Sequence, residues 1–138
     1  MILVAGAGPG MNVLLAVISG LVGVAVAASV TDVPPRLGNM VVISVLMNFA
    51  LAIFNMLPIP PLDGSKVLAG LLPDALAIPY LKLGAFGFLV LLAIILLAPM
   101  IISKLGYSFD IFGTIVWQPA AYLTQTLLEA LGLRAPSA

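Results

Sequence analysis

The first 31 residues carry no charged side chain. Within them, the apolar run from about Gly10 to Val30 is long enough to cross the roughly 30 Å of hydrocarbon in a bilayer. Lipid offers the backbone no hydrogen-bond partners, so such a run is expected to satisfy its peptide groups as a helix. A secretory signal peptide is the alternative, but the basic N-terminal region is missing and the apolar run is too long. The segment is therefore predicted to be a transmembrane helix.

Two further apolar runs have the length of a membrane span. They extend from about Leu37 to Leu57 and from about Leu83 to Ile102, and a short polar connection from Asp32 to Gly38 precedes the first of them. The chain is 63% hydrophobic and 7% charged, whereas soluble domains carry about 25% charged residues. We expect an all-α, polytopic membrane protein in which residues 1–138 form a single membrane domain with about three transmembrane helices.

The C-terminal segment from Phe109 to Leu133 is less apolar than these three runs. It contains Trp117, Tyr122 and a moderately amphipathic TLLEALGL stretch. Aromatic and amphipathic residues at this density are typical of a helix at the membrane interface. We predict an interfacial C-terminal helix, with a weak fourth span as the alternative.

A proline-rich segment ends the second apolar run. Pro58, Pro60 and Pro61 each lack an N–H group and disfavour helical geometry in the residue before them, so residues 58–80 are predicted to form a loop or a re-entrant segment. Asp63 lies in that segment, and a charge at membrane depth costs roughly 2.5–3.5 kcal/mol, which makes it a candidate functional residue. The alternative is a turn in which Asp63 caps a following helix or lies in interfacial water.

Composition excludes several kinds of chemistry. The chain has no cysteine and no histidine, so disulfides, thiolate sites and imidazole ligands or bases are absent from it. Five basic residues balance five acidic ones, which argues against a nucleic-acid partner. Any chemistry of this chain alone must use carboxylates or hydroxyls.

Two motifs resemble those of a known family. NMLPIPPLDG at residues 55–64 is similar to the Asn-x-x-Pro-x-Pro-Pro-x-Asp-Gly signature of the site-2 protease family, the intramembrane zinc metalloproteases. AGPGMN at residues 7–12 looks like the Ala-Gly-Pro-x-x-Asn element that opens the preceding helix in that family. Gly8-Pro9 also reads most simply as a helix start with proline in the first turn. The resemblance covers roughly residues 4–100.

The resemblance implies roles for five residues. In that family, zinc is held by two histidines of an HExxH helix and by the aspartate of the Asp-Gly signature, so Asp63 is the implied metal ligand. Asn55 matches the asparagine near the substrate strand, and Pro60, Pro61 and Gly64 are assigned with it to substrate binding. No residue of this chain is assigned as catalytic, because the glutamate that activates water belongs to HExxH.

The chain departs from the family at the HExxH motif, which it lacks. It resembles the C-terminal half of such a protease, and it would hold zinc only if two histidines came from a missing segment or a partner chain. As a free-standing polypeptide it is expected to be proteolytically inactive.

Three functions remain open at this point. The first is an incomplete intramembrane zinc metalloendopeptidase, and the second is a non-catalytic scaffold or transmembrane-segment binding protein derived from that fold. The third is half of a transporter or channel, since broken helices also build ion sites. The expected partners are the lipid bilayer, a transmembrane peptide substrate and a chain carrying HExxH. The expected location is a prokaryotic cell membrane, which the chain would cross several times.

Overall fold

The computed structural model describes residues 2–106 and 110–133. These residues are helical or lie in turns and loops, and no strand occurs among them. The helices are α1 (Ile2–Ser29), α2 (Pro35–Asn55), α3 (Asp63–Leu71), α4 (Asp74–Lys82), α5 (Gly84–Lys104), a π-helical segment (Gly113–Trp117) and α6 (Gln118–Ala130). The predicted all-α fold is confirmed.

Three helices are long and apolar enough to cross a membrane. The qualifying segments are Val4–Ser29 in α1, Pro35–Asn55 in α2 and Phe86–Lys104 in α5. They match the three predicted spans to within a few residues, except at the start of the first. Most large apolar side chains on these helices are exposed, as lipid-facing surfaces require.

The prediction that Pro9 lies in the first turn of a helix is wrong. α1 already runs from Ile2, which places Pro9 inside it. A proline within a helix removes one backbone hydrogen bond, but helices that pack against others in a membrane tolerate this loss. Pro9 is buried, so it lies against neighbouring protein and not at a helix end.

Residues 58–80, predicted to form a loop or a re-entrant segment, contain more helix than a loop would. After the irregular stretch from Met56 to Leu62, they fold into α3 and most of α4. Between Pro61 and Pro73 there is no proline to stop a helix, and Pro73 is the N-cap of α4. An acidic residue lies in the first turn of each short helix, where the helix dipole favours negative charge.

The core lies among α1, α2, the π-helical segment and α6. Its buried side chains are Ala16, Val45, Phe49, Ala50, Val116, Ala120 and Leu128. A hydrogen bond between the Ser19 and Ser44 hydroxyls, 2.9 Å long, also links α1 to α2. Thus α6 packs one face onto the two N-terminal spans, and its predicted location at the membrane interface stays a prediction.

Candidate functional site

Asp63 is the first residue of α3. The N-cap of this helix is Leu62, so the alternative in which Asp63 is the N-cap residue is wrong, and its location in interfacial water stays a prediction. The Lys66 ammonium donates to Asp63 Oδ1 at 2.9 Å, with the Asp63 side chain 31% exposed and the Lys66 side chain 51% exposed. The carboxylate is therefore accessible, and it already has one cationic neighbour.

Gly8 of the upstream motif lies against this carboxylate. A Cβ added at Gly8 would be 2.7 Å from Asp63 Oδ2, which is closer than any van der Waals contact allows. Only a glycine on α1 leaves the carboxylate room in this position. The two motifs that resemble the protease family therefore meet in space, one on α1 and the other at the start of α3.

Gly64 allows the start of α3 to pass close to the end of α2. A Cβ at Gly64 would collide with the carbonyl oxygen of Met56 and would lie 2.6 Å from that of Leu57. The next residue, Ser65, is 2% exposed and donates from its hydroxyl to the Leu62 carbonyl at 2.7 Å. This packing fixes the backbone on the C-terminal side of Asp63.

Two further contacts reach the proline loop, which we define as residues 56–62. The Tyr80 hydroxyl on α4 donates to the Pro58 carbonyl at 2.7 Å, and Gly87 on α5 packs directly against the Pro60 carbonyl. Burial raises the pKa of the Tyr80 hydroxyl above its ordinary value, so the hydroxyl remains a protonated donor at neutral pH.

The residues that the resemblance assigns to substrate binding surround Asp63 along the chain. Asn55 is the last residue of α2 and is half-buried, whereas Pro60 and Gly64 are buried and Pro61 is exposed. Their part in substrate binding stays a prediction.

The residues present do not make a zinc site on their own. Among residues 2–106 and 110–133, no group of three or more histidine, cysteine, aspartate or glutamate side chains converges. A catalytic zinc takes three protein ligands, and Lys66 places a positive charge beside the one carboxylate available here. Asp63 can supply one ligand, and the others are not found in the described part of the chain.

Sequence reasoning missed three residues that contact this site. Lys66 carried a signal, since residues three apart on a helix face each other. Tyr80 lies 22 residues from its partner Pro58, and Gly87 meets Pro60 through tertiary packing. No local pattern in the sequence indicates either of these two contacts.

Comparison with known proteins gives one distant relationship. The chain is 31% identical over 97 residues to a protein of Bacillus subtilis (strain 168) named "Putative zinc metalloprotease YwhC". The aligned region covers 67% of this chain but only 44% of that protein, so the chain spans less than half the length of its relative. No protein-family model and no solved structure matches the chain. The chain is thus a helical protein, with three helices apolar enough to cross a membrane, that is distantly related to a protein named as a zinc metalloprotease.

Proposed function

We propose that this chain forms part of an intramembrane zinc metalloprotease, to which Asp63 contributes one zinc ligand. The observation that carries the proposal is the contact between Gly8 and the Asp63 carboxylate, because it joins the two motifs on which the resemblance rests. The relative's name supports metalloprotease chemistry, and the three apolar helices support a location in the bilayer. The reaction is hydrolysis of a peptide bond in or next to the membrane.

The proposal requires residues that this sequence does not contain. Two histidine ligands and a general base would come from an HExxH helix on another segment or on a partner chain. That helix must reach the Asp63 carboxylate, whose side chain is 31% exposed. Asn55, Pro60, Pro61 and Gly64 would then border the transmembrane peptide that is cut.

A second candidate is a non-catalytic scaffold that binds transmembrane segments. The ion pair between Lys66 and Asp63 favours it, because a carboxylate neutralised by lysine needs no metal. Among the described residues, no group of three or more potential zinc ligands converges.

Co-expression of the chain with a helix carrying HExxH tests the two candidates. The membrane preparation is incubated with a reporter transmembrane substrate, and cleavage is followed by mass spectrometry. The protease proposal predicts cleavage by the pair that Asp63→Asn abolishes and that neither partner shows alone. Substrate capture without cleavage, equal for the wild type and Asp63→Asn, would support the scaffold instead.

A further inference from the structure

The proline loop receives contacts from two elements that the proposed site does not use. Tyr80 on α4 bonds to the Pro58 carbonyl, and Gly87 on α5 lies against the Pro60 carbonyl. Both contacts fall on backbone oxygens of a loop whose prolines cannot donate hydrogen bonds. Neither Tyr80 nor Gly87 belongs to the two motifs that resemble the protease family, whereas Pro58 and Pro60 lie in the second of them.

The Tyr80 contact satisfies a carbonyl that the end of α2 leaves free. Pro58 follows the last turn of that helix, and among the described residues no backbone N–H is bonded to its oxygen. Pro58 is exposed, and a backbone carbonyl that faces lipid needs a hydrogen-bond partner. The Tyr80 hydroxyl provides one at 2.7 Å, although it lies 22 residues away in the sequence. The bond therefore fixes Pro58 relative to α4.

Gly87 fixes the loop by a different kind of contact. The Pro60 carbonyl occupies the space that a side chain at residue 87 would fill, and Pro60 and Gly87 are both buried. Gly84, one turn earlier on α5, shows the contrast, since a Cβ there would lie 3.8 Å from Pro60 Cβ, an ordinary contact. The close approach is specific to position 87.

The position of the proline loop determines the position of Asp63. Only Pro61 and Leu62 separate Pro60 from Asp63, and the Leu62 N–H donates to the Ile59 carbonyl at 2.9 Å. Such a short, internally bonded segment cannot shift at Pro58 or Pro60 without moving the start of α3. Because Gly8 leaves Asp63 Oδ2 so little room, a small shift would change how the carboxylate lies against α1.

We propose that Tyr80 and Gly87 are positioning residues that hold the proline loop and thereby set the location of the Asp63 carboxylate. The effect of this positioning on zinc binding rests on the proposed function. The positioning itself rests only on the contacts described above. Both residues act through the loop, and neither touches a substrate or a metal.

A cross-linking experiment tests this positioning without zinc. The chain has no cysteine, so Gly8→Cys with Asp63→Cys gives a pair whose disulfide reports the distance between residues 8 and 63. The full-length double variant is placed in lipid nanodiscs, and the rate of disulfide formation with a mild oxidant is measured. Adding Tyr80→Phe should slow cross-linking about fivefold, because the free energy of one typical hydrogen bond corresponds to a change of that size. The matched control Tyr122→Phe, at a residue 71% exposed on α6, should leave the rate unchanged.

Gly87→Ala and Gly84→Ala form a second matched pair in the same background. Gly87→Ala should slow cross-linking at least as much as Tyr80→Phe, and Gly84→Ala should not slow it. If Gly87→Ala fails to fold, judged by helical circular dichroism, the tyrosine pair still decides the question, because Tyr80→Phe removes a single oxygen atom. Equal rates for Tyr80→Phe and Tyr122→Phe would overturn the proposal.

The second readout is zinc retention. It uses the chain with Asp63 unchanged, co-expressed with an HExxH helix. Tyr80→Phe should lower zinc retention severalfold, and excess zinc should restore it, whereas Tyr122→Phe should do neither. A wild-type complex that retains no zinc would contradict the proposed function, and the cross-linking rates would still decide whether Tyr80 and Gly87 position residue 63.

Discussion

Gly8 and Asp63 lie so close together that an added Cβ at Gly8 would be 2.7 Å from Asp63 Oδ2. One residue belongs to α1, which is apolar enough to cross a membrane, and the other begins α3, after the proline loop. The contact places a carboxylate beside the backbone of α1, where a side chain would displace it. This contact brings together, at one site, the two motifs singled out in the sequence.

Gly8→Ala should move the Asp63 carboxylate without unfolding the chain. The added methyl group meets the end of a side chain that can rotate, so folding should persist while the ligand leaves its place. Changes next to a metal ligand commonly cost about 10- to 100-fold in metal affinity, and we expect a loss of that size in the complex with an HExxH helix. Zinc affinity is measured by competition with a chelator.

Gly6→Ala is the control for this variant, because nothing lies within 4 Å of a Cβ added at Gly6. It should leave zinc affinity unchanged. Equal affinities for Gly6→Ala and Gly8→Ala would contradict the placement of Gly8 against Asp63.

Gly64→Ala should destabilise the fold itself. Its Cβ would collide with backbone carbonyl oxygens of Met56 and Leu57, which cannot rotate away as a side chain can. Overpacking of this kind typically costs about 1–3 kcal/mol. Unfolding by a denaturing detergent, followed by circular dichroism, should show the loss, while Gly38→Ala should show none because nothing lies within 4 Å of its Cβ.

Lys66→Gln should strengthen metal binding at Asp63 and hardly affect stability. The pair with Asp63 is partly exposed, and such ion pairs contribute about 0–1 kcal/mol to stability. Removing the ammonium removes its repulsion of a divalent cation, for which we expect about fivefold higher zinc affinity, equivalent to ~1 kcal/mol in a water-like dielectric. Lys82→Gln, at an exposed residue of α4, should leave the affinity unchanged, and a weaker affinity for Lys66→Gln would show that Lys66 assists binding.

The sequence predicts the three long apolar helices well because the bilayer sets the length and apolarity of a helix that can cross it. It misplaces the start of α1, because Pro9 resembles a helix start although the helix runs through it. It also predicts a loop or a re-entrant segment at residues 58–80, because the prolines there give no indication of the two short helices that follow. Pro9 is tolerated inside a packed helix, whereas Pro58, Pro60 and Pro61 do end α2, and the proline-free stretch that follows them is helical.

The site is only partly predictable for a related reason. Asp63 and Gly64 stand out in the motif, but the contact of Asp63 with Gly8 is a product of how α1 packs on α3. No local pattern identifies the proline loop as the partner of Tyr80 and Gly87, because these contacts join segments far apart in the sequence.

Single cysteines should confirm the three spans in a membrane. The chain has no cysteine of its own, so Leu21→Cys, Ile43→Cys and Leu96→Cys each report one helix, at side chains that are about half exposed on the protein surface. We expect a membrane-impermeant maleimide to leave all three unlabelled in intact bilayers. Leu71→Cys, at the 71% exposed end of α3, should be labelled once the membrane is opened, and free labelling at the three test positions would refute the spans.

Zinc content of the purified chain with and without an HExxH helix is the most direct test of the account. Elemental analysis should find little zinc in the isolated chain, stoichiometric zinc in the co-expressed complex, and none in the complex carrying Asp63→Ala. Asp74→Ala, in the exposed first turn of α4, should retain the metal. Stoichiometric zinc in the isolated chain, or full zinc retention by the Asp63→Ala complex, would contradict the assignment of Asp63 as the zinc ligand that this chain contributes.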